Sequence, residues 1–86
     1  MTILDLITLI DSLEKELDQN FDHRVNILHR LDEAFLTDEE REGLDNRYQE
    51  LLDREKLVRT ELLPKYRVEL RREILHILGC DPPEHQ

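Results

Sequence analysis

Apolar residues in the first part of the chain fall at Ile3, Leu6, Ile10, Leu13 and Leu17, in alternating steps of three and four. That spacing holds them on one side of a helix, as the seam of a helix packed lengthwise on another. Leu4, Ile7 and Leu9 widen the stripe over the first two turns, so this end needs cover from two sides. The pattern runs on through Phe21, Ile27, Leu28, Leu31 and Phe35, with Asn20 and Arg24 standing where a strict seam would be apolar. No Gly or Pro occurs in residues 1–36, and the spacing predicts one helix over about 3–35. The alternative is two helices broken near Asn20, within "DQNFD". Thr2 is placed to cap the start, with Asp5 suited to the positive end of the helix dipole.

A boundary follows. Thr37-Asp38-Glu39-Glu40 matches a capping box, in which Thr37 accepts from the backbone and Glu40 reaches back to it. Beyond a turn at 36–37, a second helical face over about 38–78 carries Leu44, Tyr48, Leu51, Val58, Leu62, Tyr66, Leu70, Ile74 and Ile77, with Glu55 and Lys65 as polar exceptions. Pro64 removes a backbone donor and clashes with the preceding turn, which predicts a kink or break at 62–64. Gly79 suits a helix end, leaving 80–86 as a disordered tail.

The fold class read from this pattern is all-α. A long helix, a capped turn and a Pro-kinked long helix form an antiparallel helical hairpin over one domain, 1–79. The apolar runs Ile3–Ile10 and Ile74, Leu75, Ile77 and Leu78 are expected to meet and form the main cluster. Such a hairpin covers one side of each helix, so dimerisation into a four-helix bundle, or docking on another protein, is the physical remedy.

Composition agrees. Of 86 residues, 17 are leucine, and glycine and proline together number five, which favours helix. Tryptophan is absent and aromatics make up 5%, leaving little material for base stacking. The single cysteine, Cys80, has no internal disulfide partner and fits a reducing compartment. The apolar start lacks the basic flank and cleavage site of a signal peptide and is too short to span a bilayer, so a cytoplasmic location is expected.

Charge is divided between the two halves. Residues 1–43 carry 12 acidic and 4 basic side chains, and residues 44–86 carry 9 and 8, within a net charge of -9. Lys65, Arg67, Arg71 and Arg72 form a basic patch that an antiparallel hairpin sets beside acidic residues 5–18. The simplest account is charge matching between the two arms, or between two subunits. Direct nucleic-acid binding is disfavoured by the net charge. An acidic surface at Asp38, Glu39, Glu40 and Glu42 is a candidate for engaging a basic partner, as an inhibitor of a nucleic-acid-binding protein would.

Catalytic and metal patterns are weak. His76 and Cys80 are four apart and share a helix face, but a structural zinc would also need ligands from the tail, such as His85, and no metal or cofactor is expected. No Ser-His-Asp order, Gly-rich phosphate loop or H-E-x-x-H helix occurs. Ile10-Asp-Ser-Leu-Glu-Lys-Glu-Leu17, followed by Arg24, is similar to the first-helix pattern of the small α-helical chorismate mutases. The resemblance implies a dimer with an Arg- and Lys-rich site for a dicarboxylate, Arg24 and Arg47 being the alignable arginines. Ile7 stands where that family has an arginine supplied by the other subunit, and no lysine lies between Lys15 and Lys56, where the family has one on substrate. The assignment is therefore rejected and only the architecture is shared.

These features point to a non-enzymatic interaction module, an adaptor, chaperone-like subunit or inhibitor, with a protein partner and self-association as a homodimer expected. Its expected apolar contacts are Ile3, Leu4, Ile7, Ile10, Leu57, Leu63, Ile74 and Leu78. Two other readings stand beside it: the acidic inhibitor, and a small helical enzyme holding an anion with Arg24, Arg47, Arg59 or Arg67.

Overall fold

The computed structural model describes residues 1–79, and all regular structure among them is helical. Helix α1 runs Ile3–Leu31, α2 runs Asp38–Leu57 and α3 runs Leu63–Ile77; a π-helical turn, Val58–Leu62, joins α2 to α3. α1 packs against both α2 and α3, so the chain is a helical hairpin whose second arm is α2, the π turn and α3 in succession. The predicted tail, 80–86, lies outside the described residues.

α1 is continuous through Asn20, as the absence of breakers predicts, and does not divide at "DQNFD". Its start carries a reciprocal capping box: Asp5 N–H donates to Thr2 Oγ1 and Thr2 N–H donates to Asp5 Oδ2, both at 3.1 Å. It ends at Leu31, short of the expected Phe35. The last turn tightens there, with Asp32 N–H bonding His29 O at 3.3 Å and Glu33 N–H bonding Arg30 O at 3.0 Å. Arg41, from the other arm, donates Nη1 to Leu31 O at 3.3 Å and satisfies one of the freed carbonyls. The connection is thus longer than the two-residue turn expected, and Phe35 projects from it, 96% exposed.

Thr37 caps α2 as predicted, its Oγ1 accepting from Glu40 N–H at 3.1 Å. The return bond differs: the Glu40 carboxylate accepts from the Thr37 hydroxyl at 3.2 Å.

Pro64 does not break the second arm; it stands at the start of α3, directly behind the π turn. The chain widens into the π turn just before it, and Leu63 N–H reaches back five residues to Val58 O. This inserts one residue, so the proline ring falls in the first turn of α3, where its missing donor costs least. The Thr60 hydroxyl donates to Lys56 O at 2.7 Å, giving that carbonyl a side-chain donor where the backbone ladder is reset.

The insertion also rotates the apolar stripe by one position, which brings Leu63 inward. Leu63, expected on an outer interface, is 3% exposed and forms the core cluster with Leu13 and Val58. Leu9, Ile10, Leu17, Leu62 and Tyr66 pack around it. The main cluster therefore lies beside the π turn, where Leu9 and Ile10 of the Ile3–Ile10 run reach it, and is not built from the Ile74–Leu78 end. The molecule measures 63 × 25 × 16 Å, only one helix thick in its shortest direction, so each helix retains an uncovered side.

Candidate interaction face and polar inset

Two kinds of apolar stripe run along α1. Leu6, Leu13 and Ile27 are buried against the second arm, with Asn20 between them in the same seven-residue repeat. Leu4, Ile7, Phe21 and Leu28 are exposed, and Ile7, Phe21 and Leu28 repeat at multiples of seven with Glu14 in the gap. Residues seven apart lie on one helical face, so these four positions form a second stripe beside the packed one. The sequence pattern had placed Phe21 and Leu28 with the seam; they face outward instead.

The Glu14–Arg67 pair shows which way the stripe faces. Arg67 Nη2 donates to Glu14 Oε1 at 3.0 Å across the two arms, so both side chains lean to the same flank of the hairpin. Leu4, Ile7 and Asp11 share Glu14's flank of α1, and Arg71, Ile74 and Leu78 share Arg67's flank of α3, by i, i+3, i+4 and i+7 spacing. Ile74, Ile77 and Leu78 are exposed, and a shallow groove there is lined by Arg67, Leu70, Arg71, Ile74 and Leu75. This flank brings together Leu4, Ile7, Ile74 and Leu78 of the expected apolar contacts. Ile3 and Ile10 are half-buried within the hairpin, and Leu57, on the second arm, is only just exposed.

Charge matching between the arms is partial. Arg54 grips Glu16 with two bonds, Nε to Oε2 at 2.8 Å and Nη2 to Oε1 at 3.1 Å, which raises the Arg54 pKa. Of the predicted basic patch, only Arg67 pairs with an acid among the described residues. Arg71 and Arg72 are exposed and form no salt bridge with another described residue, and Lys65 lies over the Tyr66 ring at 5.6 Å. Asp38, Glu39, Glu40 and Glu42 all sit exposed in the first turns of α2, where they complement the helix dipole.

A polar inset interrupts the seam. Glu55, 3% exposed, accepts from Arg24 Nη2 at 3.0 Å and faces Arg24 Nε as an ion pair; Arg59 stands 3.9 Å away. The Arg24 guanidinium lies between the Phe21 and Tyr48 rings, 5.5 and 5.8 Å from their centroids. Hydrogen bonding to Glu55, then to Tyr48, raises its pKa, so it is charged at every working pH. Next along the seam, the buried Asn20 Nδ2 has no hydrogen-bond partner among the described residues. Asn20, Arg24 and Glu55 were each visible in the sequence as seam interruptions; that two of them pair across the hairpin depends on a register the sequence does not print.

The four arginines considered for an anion pocket do not converge. Arg24 and Arg59 share a cleft with Glu55, whose charge answers theirs, and Arg67 is taken by Glu14. Arg47 lines a separate hollow with His23, Asn26, Ile27, Arg30 and Leu44. Among the described residues no three His, Cys, Asp or Glu side chains come together as a metal site, and Cys80 and His85 lie outside them. No described helix is long and apolar enough to cross a membrane. Comparison with protein-family models, curated proteins and solved structures found no match to this chain.

Proposed function

We propose that the protein is a non-enzymatic helical interaction module that presents one flank of its hairpin to a protein partner. The observation that carries this reading is the second heptad-spaced stripe on α1, Leu4, Ile7, Phe21 and Leu28, left exposed beside the packed one. A solvated helix face needs no such repeat, whereas a helix bundle does. Ile74 and Leu78 on α3 extend the same flank at the open end. Pairing of two hairpins into a four-helix bundle would cover it, and the adaptor, chaperone-like and inhibitor roles all use a face of this type.

The test is co-purification from the native host with the wild-type chain and with an Ile7→Asp/Ile74→Asp variant, whose helicity is first matched to wild type by circular dichroism. A protein, including a second copy of the chain, held by the wild type and lost from the variant supports the proposal. Equal recovery with both chains contradicts it.

A further inference from the structure

We infer that the occupant of this flank is a second copy of the chain, with α1 of each copy lying antiparallel on α3 of the other and the two open ends together. The inference rests on the interaction reading above and adds the partner and the register. Three features of one flank support it: its apolar residues, its unanswered arginine and the level at which an acid stands.

Within one chain, Glu14 of α1 meets Arg67 of α3 at 3.0 Å. Asp11 lies about one turn before Glu14, and Arg71 about one turn after Arg67. In antiparallel helices those two steps run in the same direction, so Asp11 and Arg71 stand at the level of the next rung. They do not form it within the chain. Asp11 pairs with Lys15 on its own helix at 2.9 Å, both side chains mostly exposed, and Arg71 has no acid among the described residues.

A two-fold axis parallel to the helices preserves axial level. It sets α1 of one copy on α3 of the other in the direction they already take within a chain. Asp11 of one copy then faces Arg71 of the other, twice per dimer. One turn further toward the open end, Ile7 faces the groove at Ile74, and a turn beyond that Leu4 faces Leu78. In the opposite direction, Phe21 and Leu28 continue the contact. An unrelated acidic and apolar helix could satisfy the same groove. This chain, however, carries both halves of the match on one flank, as a closed two-fold interface requires.

The experiment is sedimentation equilibrium over a range of concentrations on wild type, Asp11→Arg, Arg71→Asp and the double variant, each checked for helicity. The wild type should be dimeric. Either single reversal should weaken the dimer roughly tenfold, since each places two like-charge contacts at the interface, and the double reversal should recover most of the loss. A wild-type dimer indifferent to the single reversals, or weakened further by the double one, overturns the register while leaving self-association in place. A monomeric wild type overturns the second copy as occupant; the co-purification result then decides separately whether another protein takes the flank.

Discussion

The Arg24–Glu55 pair offers the sharpest test of how the hairpin is held in register. Glu55 is almost fully buried, and Arg24 supplies its close charge while Arg59 stands off at 3.9 Å. Replacing Arg24 by leucine removes that partner and strands a carboxylate in the seam. Breaking a buried pair in this way costs about 3–5 kcal/mol. The reverse change, Glu55→Leu, should be milder at about 2 kcal/mol, because the Arg24 side chain retains 17% exposure and can reach water through the cleft. Replacing both together leaves no buried charge and extends the Leu51–Val58 seam, which should bring stability back to within about 1 kcal/mol of wild type or above it. The two single costs and the near-neutral double imply a coupling of about 4 kcal/mol or more. Urea unfolding followed at 222 nm, at one fixed protein concentration so that self-association does not enter the comparison, measures each value. Additive single and double effects, or an Arg24→Leu cost below about 1 kcal/mol, would show instead that the pair is solvated and does not hold the register.

Three further outcomes follow from the same geometry. Asn20→Leu removes a buried donor without a partner and should stabilise the hairpin by about 1–3 kcal/mol in the same unfolding assay. Deleting Glu61 should collapse the π turn into α-helix while keeping Leu63 facing Leu13; with Pro64 retained the cost is about 3 kcal/mol, and adding Pro64→Ala should remove most of it. The Thr2 backbone N–H, and then its hydroxyl, hold the Asp5 carboxyl below its ordinary 3.8. The unfolded chain therefore binds that proton more tightly, and the contribution is present above the unfolded value and lost as pH falls below it. The melting-temperature gap between wild type and Asp5→Asn should close on acidification, and a gap unchanged at pH 2 would contradict the assignment.

Much of the fold was legible in the sequence because its signals are local. The three-and-four spacing and the lack of Gly and Pro define α1, and Thr2 and Thr37 mark the starts of both arms. The end of α1 was not legible, since a carbonyl freed at Leu31 is bonded by Arg41 from the other arm, a tertiary contact. Pro64 announced a disturbance but not its form. Leu62 and Leu63 are both apolar, so the sequence offered no cue that one inserted residue would turn Leu63 inward. The interaction flank was half legible: Leu4, Ile7 and Ile74 stood out as surplus apolar positions. Phe21 and Leu28 were absorbed into the seam, because a stripe one residue round the helix carries the same periodicity.

On the proposal above, the exposed heptad stripe is an interface between copies of this chain. Sedimentation equilibrium of the wild-type protein beside Ile7→Asp/Ile74→Asp at micromolar concentration tests it most directly. The wild type should show a mass of twice 10.4 kDa, and the variant should be monomeric with its helicity intact. A wild-type monomer, or a dimer that the variant retains, would contradict it.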